Sequence, residues 1–274
     1  MRRQLSYLGM AALLAHAAPA FAQDAPPPAA PDSAADLAKK LSNPIASLIS
    51  VPIQMNLDWG GGFDDGGFKL TTNVQPVVPI SLSPNLNLIV RTIVPIVYQS
   101  GLTGPGDQQS GLGDTVQSFF FSPNPKPGGI IWGAGPVFLY PTGTSRYTGG
   151  DKWGAGPTIV VLKQSGQSTI GLLANHIWSV AGDKARPDVN ATFVQPFFSY
   201  TTKRATTYSL NTESTYNWEA GKWTVPVNVS VSQLVRVGKQ PMSFGIGGRY
   251  YLSSPTGGPQ WGLRVITTFL FPKS

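Results

Sequence analysis

From Trp223 to Ser232 the chain reads WTVPVNVSVS. Trp223, Val225, Val227, Val229 and Val231 fall on one parity, and Thr224, Pro226, Asn228, Ser230 and Ser232 on the other. Side chains alternate sides along a strand, so this segment has one apolar and one polar face. The same alternation runs through 50–59, where Val51, Ile53, Met55, Leu57 and Trp59 oppose Pro52, Gln54, Asn56 and Asp58. Two architectures can use such strands. A water-soluble sandwich turns the apolar faces inward, and a membrane barrel turns them outward around a polar interior.

The first residues bear on that choice. Arg2 and Arg3 are charged, Leu5 to Ala15 is apolar, and Ala20-Phe21-Ala22 is a small-x-small cleavage site. That order predicts a secretory signal peptide at 1–22, with cleavage before Gln23. The alternative, a retained anchor, would need about 20 apolar residues. With no Cys, the chain has neither a lipoprotein anchor nor a disulfide framework. No Lys/Arg block or basic helix points to nucleic acid. An exported chain without a helical span enters a bilayer only as a closed barrel, because lipid offers the backbone no hydrogen-bond partner.

Residues 23–49 read as a Pro/Ala-rich linker followed by a short amphipathic helix at 33–42. Asp32 or Ser33 caps it, and Asn43-Pro44 ends it. Leu37, Leu41, Ile45 and Leu48 fall at helical spacing. Two placements stay open: a periplasmic helix resting at the mouth of the barrel, or a plug inside it. The barrel itself is expected over 50–274. Twelve strands are predicted at 50–59, 68–82, 86–99, 112–122, 130–141, 152–163, 168–181, 188–201, 206–218, 222–237, 242–253 and 261–271. Tight turn signals alternate with longer Gly-rich ones such as 60–67 (GGGFDDGG) and 142–151 (TGTSRYTGGD). Short periplasmic turns and long outer loops give this rhythm in outer-membrane barrels. The last strand ends in Phe271, an aromatic of the kind barrel-assembly machinery reads, with Pro272-Lys273-Ser274 beyond it. The fold class is therefore an all-β, antiparallel up-and-down transmembrane barrel. Its surroundings would be outer-membrane lipid and lipopolysaccharide.

With the apolar parity outward, the predicted lumen lining is Gln54, Asn56, Asp58, Asn73, Gln75, Arg91, Asn211, Glu213, Asn228, Arg236, Arg249 and Arg264. An Arg facing lipid at mid-bilayer would cost about 2–4 kcal/mol, so four on the polar parity support this orientation. They outnumber Asp58 and Glu213, so a pore would lean towards anions. Trp59, Tyr98, Trp153, Trp178, Trp218, Trp223 and Tyr250 fall near strand ends, where aromatic girdles sit. Pro52, Pro76, Pro79, Pro95, Pro136, Pro157, Pro196 and Pro226 fall inside predicted strands. Each removes a ladder donor. They mark either bulges, where no bond is lost, or a wall that opens sideways into the membrane.

Little points to catalysis. His176 is the one histidine beyond the signal segment, and it lies on the apolar parity with Trp178 while Ser179 points the other way. A Ser–His dyad within that strand is excluded, whereas a Ser from a neighbouring strand is not. One His and no Cys exclude the usual zinc ligand sets, and no cofactor motif is present. Asp58, Asp64 and Asp65 are a thin candidate for Ca²⁺ at the rim.

The stretches 41–56 (LSNPIASLISVPIQMN), 111–123 (GLGDTVQSFFFSP), 173–182 (LANHIWSVAG) and 211–219 (NTESTYNWE) carry a resemblance. They are similar to proteobacterial outer-membrane "transporter" proteins, a family named for the MetA pathway of phenol degradation. Some of its members carry the misplaced name neuromedin U. The resemblance spans about Leu37 to Phe271. It implies an outer-membrane barrel and passage of small solutes, including hydrophobic or aromatic ones, with no catalytic motif to carry over. An outer-membrane lipase or deacylase, and a structural or surface-binding barrel with a closed lumen, are the alternatives.

Overall fold

The structure, a computed structural model, describes residues 32–62, 64–126 and 128–272. The signal-peptide and most of the linker expectations therefore lie outside the described residues. One helix, α1 (Ala34–Leu41), precedes fifteen strand segments. In chain order these are β1 (Ile49–Gly61), β2 (Gly67–Val74), β3 (Val77–Ser83), β4 (Leu86–Ser100), β5 (Gln108–Leu112), β6 (Thr115–Pro123), β7 (Ile130–Tyr140) and β8 (Lys152–Ser165). There follow β9 (Ser168–Gly182), β10 (Asn190–Thr201), β11 (Thr206–Thr212), β12 (Ser214–Asn217), β13 (Lys222–Val237), β14 (Gln240–Ser253) and β15 (Trp261–Phe271). Two predicted strands are each broken once, giving the pairs β2/β3 and β11/β12, and β5 is an added segment that lies almost wholly between the strands expected at 86–99 and 112–122 and leads into β6. Rejoined, the segments form twelve antiparallel wall strands. β15 pairs with β1 from Ile49↔Phe271 to Trp59↔Trp261, which closes the barrel and leaves no terminal edge.

The alternation dictates the wall. Val229 and Ile246 face outward at 60% and 58% exposure, while Asn228 and Arg249 on the opposite parity are buried. A continuous skin of exposed Val, Ile, Leu and Phe would be an aggregation surface in water and suits lipid contact. Aromatics ring the long-loop end: Trp59 stacks on Trp261 at 4.8 Å, Tyr140 meets Trp153 edge-on at 5.8 Å, and Tyr216 meets Trp218 at 4.8 Å.

The in-strand prolines coincide with gaps in the ladders. Gln75-Pro76 separates β2 from β3, and Gln75 donates its backbone N–H to the Pro52 carbonyl at 2.8 Å. Across from Pro95, Gly113-Asp114 separates β5 from β6, with the Gly113 N–H on the Pro95 carbonyl at 2.8 Å. The β6–β7 ladder skips from Ser118↔Val137 to Phe121↔Ala134 around Pro136. The β8–β9 ladder skips from Ala155↔Trp178 to Thr158↔Asn175 around Pro157. Pro226 marks a register shift against β14. A proline placed where the partner strand makes no bond strands no acceptor.

One expectation needs correction: the interior is not polar throughout. Inward-facing Ile89 (β4), Phe120 (β6), Val160 and Leu162 (β8) and Leu173 (β9) form a buried apolar cluster with Ile45. Around Val160, Leu162 and Leu173, β8 and β9 are apolar on both faces, so parity reading of the polar positions alone could not reveal this patch of the lumen.

Candidate functional site

The polar half of the lumen is built by β1 and β11–β15. Register places Asn56 opposite Arg264, and Asp58 in line with Gly262, Arg249, Asn228 and Asn211. Arg264 Nη1 and Nη2 donate to the two carboxylate oxygens of Glu213 at 3.0 and 2.6 Å, and its Nε donates to Asn56 Oδ1 at 2.8 Å. Such a fork-on-fork pair fixes direction as well as distance. Arg249 Nε lies 3.2 Å from Asp58 Oδ1, its Nη1 lies 3.9 Å from Glu213 Oε2, and its Nη2 donates to the Tyr251 hydroxyl at 2.9 Å. Gly262 makes the Asp58–Arg249 contact possible, because a Cβ there would overlap Asp58 Oδ1. Asn228 donates to Asn211 Oδ1 at 2.8 Å.

This belt is shut to solvent: Arg264 is 2% exposed, and Asn56, Asp58 and Arg249 are also buried. Gln54 lies beside it, with Nε2 at 3.5 Å from Asn56 Oδ1. Gln75 is buried and accepts from Arg91 Nη2 at 2.9 Å, and Asn73 is half-buried on the same wall. Arg236 differs from its neighbours. It is exposed near the tight-turn end of β13, outside the belt. Lys69 and Tyr251 join the inward set without having been anticipated. Lys69 shares parity with Asn73 and Gln75, and Tyr251 with Arg249, signals present in the sequence; of the adjacent tyrosines only Tyr250 reads there as a girdle aromatic. Asp58 is committed to Arg249, and no cluster of three or more metal-capable side chains occurs among the described residues.

Below the belt, residues 34–48 cross the tight-turn end inside the lumen as a strap. The placement is settled by what α1 touches. Leu37 and Ala38 are buried with inward-facing Leu234 of β13 and Leu270 of β15, and Gln164 of β8 donates to the Lys39 carbonyl at 3.0 Å. Of the two placements, resting at the mouth gives way to the internal one, because the helix's apolar face is satisfied by lumen side chains.

The wall itself has a seam. β5 pairs with β4 alone, because β7 stops at Tyr140 and the chain 141–151 fills the place of a strand beside it. Thr144 exchanges bonds with Leu112, N to O at 3.1 Å and Leu112 N to Thr144 Oγ1 at 2.9 Å. Asp114, sitting in the β5/β6 break, accepts from Gly143 N at 3.0 Å and Gly150 N at 2.6 Å. The two limbs of the loop approach so closely at Gly143 and Gly149 that a Cβ on either would overlap the other's backbone. From outside, Arg186 donates to the carbonyls of Gly149 and Arg146 and pairs with Asp151 at 3.5 Å. Nearby, Lys152 and Ser179 hydrogen-bond to the Asp188 carboxylate and hold its pKa below the ordinary value. Loop 141–151 is thus latched on both sides, and on the lumen side the seam is backed by buried Val97 and by Gln99, whose amide donates to Gln109 Oε1 at 3.0 Å.

His176 faces outward. Its Nδ1 lies 2.7 Å from Thr192 Oγ1, its ring packs on Trp178 at 4.0 Å, and Trp218 donates to the same hydroxyl at 2.8 Å. No serine hydroxyl is within hydrogen-bond distance of it among the described residues.

No family model and no curated protein sequence matches this chain. Solved structures do. The COG4313 outer membrane channel from Pseudomonas putida F1 superposes with a TM-score of 0.65 at 14% identity, covering 82% of this chain and 96% of that one. The outer membrane phospholipase dimer with bound calcium from Salmonella typhi reaches a TM-score of 0.46 at 10% identity, covering 81% of this chain and 90% of that one. The first likeness identifies the outer-membrane β-barrel fold, and the second is too distant to bear on chemistry.

Proposed function

We propose that this chain is an outer-membrane barrel passing small, largely apolar solutes, which travel along the apolar half of the lumen and leave or enter through the seam at loop 141–151. The observation that carries the reading is the missing strand partner of β5. A latched loop, rather than a continuous ladder, separates the lumen from the bilayer there, at the long-loop end of the wall whose tight-turn end carries the apolar cluster. A polar solute would meet the shut charge belt, whereas an apolar one meets Ile89, Val160 and Leu173 on its way to the wall. That the barrel fold hosts a channel in P. putida F1 agrees with this reading, although fold alone does not fix function.

A reversible lock tests it. An added Cβ at Gly111 lies 2.5 Å from the Thr144 hydroxyl, so Gly111→Cys with Thr144→Cys brings two thiols within disulfide reach. The absence of native Cys keeps the pair unique. In Gram-negative cells expressing the chain, oxidation of this variant should cut uptake of radiolabelled naphthalene at least fivefold, and reductant should restore it. Uptake indifferent to the crosslink would overturn the seam route.

A further inference from the structure

Between the strap and the charge belt lies a cavity of about 260 Å³. Its lining mixes hydroxyls from Ser199, Thr207, Ser209, Ser230, Ser232 and Ser243 with apolar side chains of the strap, Leu41 and Leu48, and of the wall, Val77 and Phe197. Two cations line it, Lys40 and Arg91, and no carboxylate does. Lys40 is already paired with Asp32 at 2.6 Å. Arg91 is not: its one side-chain partner among the described residues is Gln75, reached through Nη2, and no carboxylate oxygen there lies within 4.0 Å of it. Its Nη1 and Nε stay uncommitted. The other two belt arginines are each held by carboxylates, so the imbalance is specific to Arg91. A second group is also unsatisfied. Ser199 is 4% exposed and lines the cavity, yet its hydroxyl has no hydrogen-bond partner.

A guanidinium offers its N–H groups as a planar fork that matches a carboxylate; Glu213 attracts Arg91 from beyond contact distance but has both its oxygens taken by Arg264, which leaves the Arg91 fork open to a ligand. Volume limits the rest of the ligand. An apolar cavity of about 150 Å³ holds benzene, so 260 Å³ admits a ring with a small polar group and is too small for a lipid-length tail. We propose that this cavity binds a compact organic carboxylate of about one ring in bulk. Its carboxylate lies on Arg91, and its apolar body packs against Leu41, Leu48 and Phe197. The proposal rests on the passage reading only for how the ligand arrives.

The test is calorimetric titration of the full mature chain in lipid nanodiscs with benzoate, benzyl alcohol and inorganic phosphate. Benzoate should bind saturably to one site, with benzyl alcohol and phosphate each at least tenfold weaker. Arg91→Gln should abolish the preference for benzoate over the alcohol, and Arg91→Lys should retain part of it. Ser209→Phe, which keeps the charge and fills the space, should abolish binding of both. Heat-modifiable gel migration checks that each variant is folded. Equal binding of benzoate and benzyl alcohol, displacement of benzoate by equimolar phosphate, an undiminished preference in Arg91→Gln, or no heat at all would overturn the proposal. Naphthalene uptake read in parallel separates the two ideas. Benzoate binding without uptake sinks the passage reading alone, and uptake without benzoate binding sinks this one alone.

Discussion

At the scale of single residues, the lumen sorts its charges into paired and unpaired. Glu213 is the hinge of the paired set, because it sits in the β11/β12 break and accepts both forks of Arg264 while lying near Arg249. Removing one partner of a buried ion pair leaves the other's charge uncompensated, at a cost of about 3–5 kcal/mol. Glu213 retains 21% exposure, so Glu213→Gln should lose about 3 kcal/mol, at the low end of that range, read as the urea midpoint for unfolding from vesicles. Arg91→Gln removes a charge that no carboxylate holds and should move the midpoint by less than about 1 kcal/mol. A large loss there, or none at Glu213, would contradict this division. The sequence carried most of the ingredients. Asn56, Asp58, Arg249 and Arg264 share the polar parity, which is why they converge. It could not say which arginine meets which acid, because Asp58 reaches Arg249 only across Gly262, whose missing side chain has no meaning until strands β1, β14 and β15 are in register.

At the scale of elements, α1 and loop 141–151 are the two pieces that are not wall, and a carboxylate helps to hold each: Asp36 in α1 and Asp114 at the loop. In α1, Ser33 and Asp36 form a capping box: the Asp36 N–H donates to Ser33 Oγ at 3.1 Å, and Ser33 Oγ donates to Asp36 Oδ2 at 2.6 Å. The Ser33 hydroxyl holds the Asp36 carboxyl below its ordinary pKa of 3.8. A depressed carboxylate pKa gives stability that is complete above the unfolded value and is lost as pH falls through the folded one. Amide exchange at 34–41 should therefore accelerate only below the ordinary carboxylate range, and Ser33→Ala should abolish that step while costing the strap about 1 kcal/mol. An exchange profile flat down to acid unfolding would refute it. The helix was legible because its cap, length and apolar spacing are local. Its place inside the lumen was not, because the partners that bury Leu37 are Leu234 and Leu270, far along the chain. Likewise the Gly-rich run 142–151 reads as an ordinary outer loop. Its wall role comes from β7 ending at Tyr140 and from Asp114, whose function as a latch shows only once the β5/β6 break is placed beside it.

At the scale of the whole molecule, the barrel is two half-lumens sharing one wall. The polar half is a closed ion-pair belt on β1 and β11–β15. The apolar half lies inside β4–β9, where β5 lacks a second partner, whereas proline interruptions fall in both halves. Strand number sets an interior between the side-chain-filled eight-stranded case and the open sixteen-stranded one, and the strap takes up the remaining space at the tight-turn end. Deleting residues 32–48 should therefore convert a barrel that conducts little into one with resolved single-channel steps in a planar bilayer. The charges near that path set its selectivity. Among the described residues, Lys69, Arg91, Arg249 and Arg264 face the two acids Asp58 and Glu213, and with the strap gone Arg91 borders the new opening. A salt gradient across the bilayer should then give a reversal potential of anion-preferring sign, and Arg91→Gln in the strap-less chain should shift it towards zero. Steps of equal size with and without the strap would show that the opening lies elsewhere. A cation-preferring sign would show that the paired arginines, rather than Arg91, face the conducting path.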